Sequence, residues 1–118
     1  MAGLTTHVLD TTRGRPAAGV AIELYEVAHD GGRTLTARAI TNADGRTDSA
    51  LISATQARVG QFELVFHIGD YFRANGATLA EPAFLDLVPI RFSIADPQAH
   101  YHVPLVATPW SYSTYRGS

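Results

Sequence analysis

The sequence predicts an all-β fold, an antiparallel two-sheet sandwich of roughly seven or eight short strands with one short helix. Three observations carry this expectation. Apolar and polar residues alternate with period two through several short segments, the pattern of strands with one face in a core. Turn signals built from glycine, proline, asparagine and aspartate separate those segments. The 118 residues are 46% hydrophobic and 17% charged, which suits a single domain, residues 1–118, with enough apolar surface to bury a core.

Leu4 to Asp10 reads as the first strand, and Val20 to Val27 alternates as a half-buried strand should. Arg13-Gly14-Arg15-Pro16 between them is expected to form an exposed loop. Asp30-Gly31-Gly32 turns the chain into Thr34 to Thr41, and Asn42-Ala43-Asp44-Gly45 makes a tight turn that delivers Arg46. Gln61 to Ile68 places Phe62, Leu64, Phe66 and Ile68 on one face, with Glu63, Val65 and His67 on the other. Gly69 to Gly76 breaks the alternation, has room for about two helical turns, and closes on a glycine suited to a C-terminal cap. Val88 to Ala95 and Ala99 to Val106 follow as strands separated by Asp96-Pro97, and the chain from Ser111 onward is the last strand. No repeat, linker or low-complexity segment interrupts this order.

Composition removes several classes of function. A net charge of -2 gives no reason to expect nucleic acid or an anionic membrane as partner, because both call for clustered basic residues. All nine basic residues are arginine, which excludes Schiff-base chemistry and any lysine nucleophile. Absence of cysteine excludes disulfides, thiolate metal sites and cysteine nucleophiles. Met1 to Thr6 has neither a basic n-region nor an apolar h-region, and no apolar run is long enough to cross a bilayer, so a cytoplasmic protein is expected.

Proton-transfer chemistry near neutral pH points to the five histidines, His7, His29, His67, His100 and His102. Period two puts Tyr101, Val103 and Leu105 on one face of their strand and His100, His102, Pro104 and Val106 on the other. The apolar triplet claims the core. His100 and His102 therefore point to water or to a further contact surface, and plain solvent exposure is the simpler alternative. His-x-His as a metal site lacks a third ligand at fixed spacing. His7 and Arg46, taken singly, read as an exposed strand residue and a solvated hairpin end. The tail, Tyr112-Ser113-Thr114-Tyr115-Arg116-Gly117-Ser118, is rich in donors and acceptors where most chains fray. Ser113, Tyr115 and Gly117 share one face, and Tyr112, Thr114, Arg116 and Ser118 the other. A polar edge strand and a close-packed polar cleft both fit that pattern.

Four ordered motifs carry a resemblance over nearly the whole chain. His7-Val8-Leu9-Asp10 with Gly14-Arg15-Pro16-Ala17, then Asp44-Gly45-Arg46, then Tyr101-His102-Val103-Pro104-Leu105, and finally the Tyr112 to Ser118 tail resemble the transthyretin-related 5-hydroxyisourate hydrolases. Where the family's strand usually continues with leucines and Ser-Pro, this chain reads Leu105-Val106-Ala107-Thr108-Pro109-Trp110, a conservative departure. The resemblance implies a transthyretin-like β-sandwich and a homotetramer, a dimer of dimers, with active sites in the channel where the dimers meet. It implies that His7, Arg46 and His102 are catalytic and that Tyr115, Arg116, Gly117 and Ser118 bind substrate, with no metal or organic cofactor.

The implied reaction is hydrolysis of 5-hydroxyisourate to 2-oxo-4-hydroxy-4-carboxy-5-ureidoimidazoline on the way to allantoin, between urate oxidase and a decarboxylase. In that scheme Arg46 binds a carbonyl oxygen and stabilises the oxyanion formed when water attacks the ring amide. His102 is the first choice as base, with His7 orienting the water or protonating the leaving nitrogen. Tyr115 and the Ser118 hydroxyl or carboxylate would hold the purine-like edges, Gly117 would admit the backbone closely, and Arg116 would anchor the tail through an ion pair. The alternative on the same scaffold is a small-molecule carrier without catalysis, as in transthyretin, because fold alone does not choose a function.

Overall fold

The alternating segments fold into two sheets with a shared apolar interior. The computed structural model describes residues 2–117. Among them, in chain order, are β1 (Gly3–Thr5), β2 (Val8–Asp10), β3 (Arg15–Pro16), β4 (Ala21–Val27), β5 (Arg33–Ile40), β6 (Gly60–His67), α1 (Ile68–Ala74), β7 (Leu87–Ile94), β8 (His100–His102), β9 (Leu105–Ala107) and β10 (Tyr112–Thr114). One sheet runs β5-β4-β6-β7, antiparallel throughout. The other runs β10-β9-β2-β3, and β1 pairs with β8 beside it. Counting β1 with β2 and β8 with β9 as two interrupted strands brings the ten segments to the eight of the sandwich expected from sequence.

Side chains from both sheets make one core. Leu4, Val8, Leu105 and Ala107 on one side face Ile22, Leu24, Leu64, Phe66 and Ile94 on the other, all nearly or fully buried. Each such aliphatic or aromatic side chain stabilises the fold by about 1.5–3 kcal/mol relative to leaving it in water. Helix α1 adds Ile68, Tyr71 and Phe72, at the i, i+3, i+4 spacing of a helix face, and ends at Asn75 before Gly76, whose φ of +89° suits a residue without Cβ.

Several sequence expectations are corrected. The sheet carrying the histidines is not wholly antiparallel, because β1 runs parallel to β8 and β2 parallel to β9. Leu4 to Asp10 and Ala99 to Val106 are each broken in the middle, at the same register. Across the break Val103 N–H still donates to the Thr5 carbonyl at 3.0 Å and Leu105 N–H to the His7 carbonyl at 2.9 Å, while the Val103 carbonyl takes the buried Thr6 hydroxyl at 2.7 Å in place of a backbone donor. Ile68 leaves the strand and opens the helix. Arg15–Pro16 is a short strand against Leu9 and Asp10, although both residues are exposed. The second face of β6 is also covered, since Glu63 is buried and accepts from Arg33 at 2.6 Å and Arg91 at 3.1 Å. Among the described residues no helix is long and apolar enough to cross a membrane.

Candidate functional site

The parallel pairing of the first and penultimate strands brings residues 97 positions apart side by side, with Thr5 opposite His102. Tyr101, Val103 and Leu105 turn into the core, while His100 and His102 are half-buried on the other face, as the alternation requires. Pro104, placed on that outer face by alternation, is itself buried. The two imidazole rings are nearly parallel, 14° apart, with centroids separated by 6.5 Å. Between them sits the Thr5 hydroxyl, 3.0 Å from His100 Nε2 and 2.8 Å from His102 Nδ1.

The tail reaches this histidine by extending β10. Tyr112 pairs with Ala107 and Thr114 with Leu105, and the same register carries Gly117 to His102, where the Gly117 N–H donates to the His102 carbonyl at 2.7 Å. A Cβ on Gly117 would lie 2.7 Å from Cδ2 of the His102 ring, so only glycine lets the tail lie this close. Arg116 turns to the other side. Its guanidinium stacks over Tyr101 at 4.1 Å and donates to the His100 carbonyl at 3.1 Å. Those two contacts anchor the tail where an ion pair was expected. Tyr115 is exposed and, with Arg116, Arg91, Tyr101 and Val103, lines a groove of about 250 Å³ between the tail and β7. Ser118 lies outside the described residues.

His7 and Arg46 arrive from adjoining segments. His7 is half-buried at the break between β1 and β2, with its carbonyl accepting from Leu105 N–H at 2.9 Å. Gly45 locks the neighbouring turn to the same place: its carbonyl accepts from Val8 N–H at 2.8 Å, its φ is +73°, and a Cβ there would run into the Val8 carbonyl oxygen. The Asn42 side chain accepts from the N–H groups of Asp44 at 2.9 Å and Arg46 at 3.2 Å, which forms the turn and leaves the Arg46 side chain exposed beside β2.

Electrostatics ties these groups together. Burial first, then the charges of Arg46, His100 and His7, hold the His102 imidazole below its ordinary value of 6.5. His102 is therefore a neutral ring near neutral pH, set among cationic or potentially cationic neighbours. Such a cluster favours an anionic or carbonyl-rich ligand. Among the described residues no three His, Asp or Glu side chains are arranged to hold a metal ion.

His7, Arg46, His102 and Gly117 are thus brought together, while Tyr115 and Arg116 line the groove beside the tail. Sequence reasoning missed Thr5, whose only signal was a hydroxyl at even spacing from His7, and gave His100 no role. Both emerge only from the pairing of β1 with β8.

Known proteins resemble this chain over nearly its whole length. The model of the HIUase/Transthyretin family matches residues 4–117. The 5-hydroxyisourate hydrolase of Deinococcus radiodurans is 58% identical over 116 residues, covering 98% of this chain and 96% of that protein. An (S)-allantoin synthase structure superposes with a TM-score of 0.91 at 42% identity, and this chain, 98% covered, spans 43% of that longer protein. Sparus aurata transthyretin superposes at 0.86 with 28% identity, over 99% of this chain and 97% of the other. With a matching family model over nearly all its length, this chain belongs to the HIUase/Transthyretin family.

Proposed function

We propose that the protein hydrolyses 5-hydroxyisourate to 2-oxo-4-hydroxy-4-carboxy-5-ureidoimidazoline. The observation that carries this reading is the convergence of His7, Arg46 and a neutral His102 under a tail whose Gly117 rests on the His102 ring. The name of the Deinococcus relative, at 58% identity, supports the substrate. Likeness to transthyretin supports only the scaffold, since one fold hosts both carriers and enzymes. A hydrophobic carrier site has no use for three ionisable groups facing one another, which favours the hydrolase.

The substrate is flat and rich in carbonyl and N–H groups. Arg46 offers a planar pair of donors to a carbonyl oxygen and stabilises the charge that grows there as water attacks the ring amide. His7 and His102 divide the proton work, one taking the water's proton and the other serving the departing nitrogen or the oxyanion. Tyr115 and Ser118 bind the polar edges of the ring, Gly117 lets them close in, and Arg116 holds the tail down through Tyr101. The chemistry asks for no metal or organic cofactor.

The working unit in this reading is a homotetramer, a dimer of dimers, with sites in the channel between dimers and a cytoplasmic location. Support comes from Phe84, Trp110, Tyr112 and Tyr115, large apolar side chains left exposed on the single chain in the manner of subunit contacts. The test is an absorbance time course: 5-hydroxyisourate is generated from urate with urate oxidase and its decay followed with wild type or His102→Ala. Faster decay with wild type, lost in the variant, is expected. Decay at the spontaneous rate with both would overturn the hydrolase and leave the carrier.

A further inference from the structure

We infer that Thr5 is a positioning residue that sets the proton position on His102, presenting Nε2–H to the substrate, so that the attacking water gives its proton to His7. The inference rests on the hydrolase reading above and deepens it. Its starting point is a chain of three groups: His100 Nε2, the Thr5 hydroxyl at 3.0 Å, and His102 Nδ1 at 2.8 Å. A hydroxyl has one proton, so Thr5 donates to one ring and accepts from the other. The direction of the whole chain is therefore set at either end.

The His100 end sets it. His100 Nδ1 is buried with no hydrogen-bond partner among the described residues. A neutral His100 ring carries one proton, and the two tautomers leave Nδ1 either as a bare acceptor or as a buried N–H with nothing to receive it. Orphaned buried N–H groups are rarer than under-satisfied acceptors. The proton of His100 accordingly sits on Nε2 and is donated to Thr5 Oγ1. Thr5 then donates to His102 Nδ1, and His102 keeps its own proton on Nε2.

Neighbouring contacts hold the arrangement in place. Thr5 lies opposite His102 in the β1–β8 register, and Gly117 lies against the Cδ2 edge of the ring, so the imidazole has little room to flip. Burial and the nearby charges keep it neutral, which makes its tautomer the property that matters.

A neutral His102 in this tautomer has no free lone pair for water. It acts as a donor to the oxygen of the attacked carbonyl, beside Arg46. His7 takes a proton from water, the hydroxide adds to the ring carbonyl, the carbon–nitrogen bond breaks, and the proton held by His7 passes to the departing nitrogen. Atoms and charge balance over the cycle, and both histidines end as they began.

The test is two-bond ¹H–¹⁵N spectroscopy of the histidine rings, with turnover of 5-hydroxyisourate, in wild type, Thr5→Ser and Thr5→Val. Wild type and Thr5→Ser are expected to show His102 protonated on Nε2 and unprotonated on Nδ1. Thr5→Val is expected to lose the single tautomer and to lower kcat roughly tenfold to a hundredfold at nearly unchanged KM, with Thr5→Ser within about threefold of wild type. A wild-type His102 protonated on Nδ1 overturns the inference, as does Thr5→Val with unchanged tautomer and kcat. Should Thr5→Val fail to fold, the wild-type spectrum decides alone. Should wild type fail to turn over 5-hydroxyisourate, the functional reading falls separately, while the spectra still report whether Thr5 sets the tautomer.

Discussion

Replacing Gly117 by alanine probes the closeness on which the site depends. The Gly117 N–H donates to the His102 carbonyl, and an added Cβ would stand 2.7 Å from Cδ2 and 3.4 Å from Cγ of the same residue's ring. Non-bonded carbons settle at ~3.5–4.0 Å, so tail or ring has to retreat by about 1 Å. Ring movement is resisted by the 2.8 Å bond from Thr5 to Nδ1, and tail movement breaks the bridge that brings residues 115–117 across. A displacement of about 1 Å at a reacting group costs on the order of a hundredfold in rate. The tail is otherwise exposed, and losing one backbone hydrogen bond costs about 1 kcal/mol, or ~5 °C in Tm for a chain of this size. Steady-state turnover of 5-hydroxyisourate by Gly117→Ala, with a circular-dichroism melt alongside, measures both. The expected result is a kcat lower by about two orders of magnitude in a folded protein. An alanine variant with wild-type kcat would refute the claim that tail and ring must touch.

Three further predictions concern ionisation. His102 works as a neutral ring, and an NMR titration of the wild-type ring is expected to place its midpoint below 6.5. Arg46→Gln removes one of the charges that disfavours the imidazolium, and an NMR titration of the variant is expected to show the His102 pKa moved upward. At the opposite side of the sheet, Tyr71 donates to the buried Asp10 carboxylate at 2.7 Å, and burial together with that bond pushes the phenol up to about 12. Burial works to raise the Asp10 pKa, but the hydrogen bonds from Thr12, Tyr71 and the Arg13 N–H outweigh it and hold the carboxyl below 3.8. The stability this gives is present above 3.8 and lost as pH falls through the lowered folded value. Tyr71→Phe is expected to cost about 1.5–3 kcal/mol in urea unfolding at neutral pH and to flatten the acid loss of stability.

Much of the site was legible because period two is a local signal. Tyr101, Val103 and Leu105 against His100 and His102 needed no knowledge of the partner strand, and the tail's alternation survived as the register that carries Gly117 to His102. Parallel pairing was not legible. Parallel and antiparallel strands alternate alike, and the pairing of Thr5 with His102 spans 97 positions of chain. The breaks at Thr6–His7 and Val103–Pro104 are likewise a property of the pair, since the Thr6 hydroxyl replaces a backbone donor only because the Val103 carbonyl lies opposite it. Arg116 was read as an ion-pairing anchor. It found an aromatic ring and a carbonyl instead, because Val103, opposite it in this register, shares its face with Tyr101.

The most direct test of the central claim, that a histidine–arginine cluster completed by the tail hydrolyses 5-hydroxyisourate, is removal of residues 115–118. Decay of freshly generated 5-hydroxyisourate would be followed by absorbance with the intact and the shortened protein, and folding checked by circular dichroism. The account predicts acceleration by the intact chain and decay at the spontaneous rate with a folded, shortened one. Equal acceleration by both would contradict it.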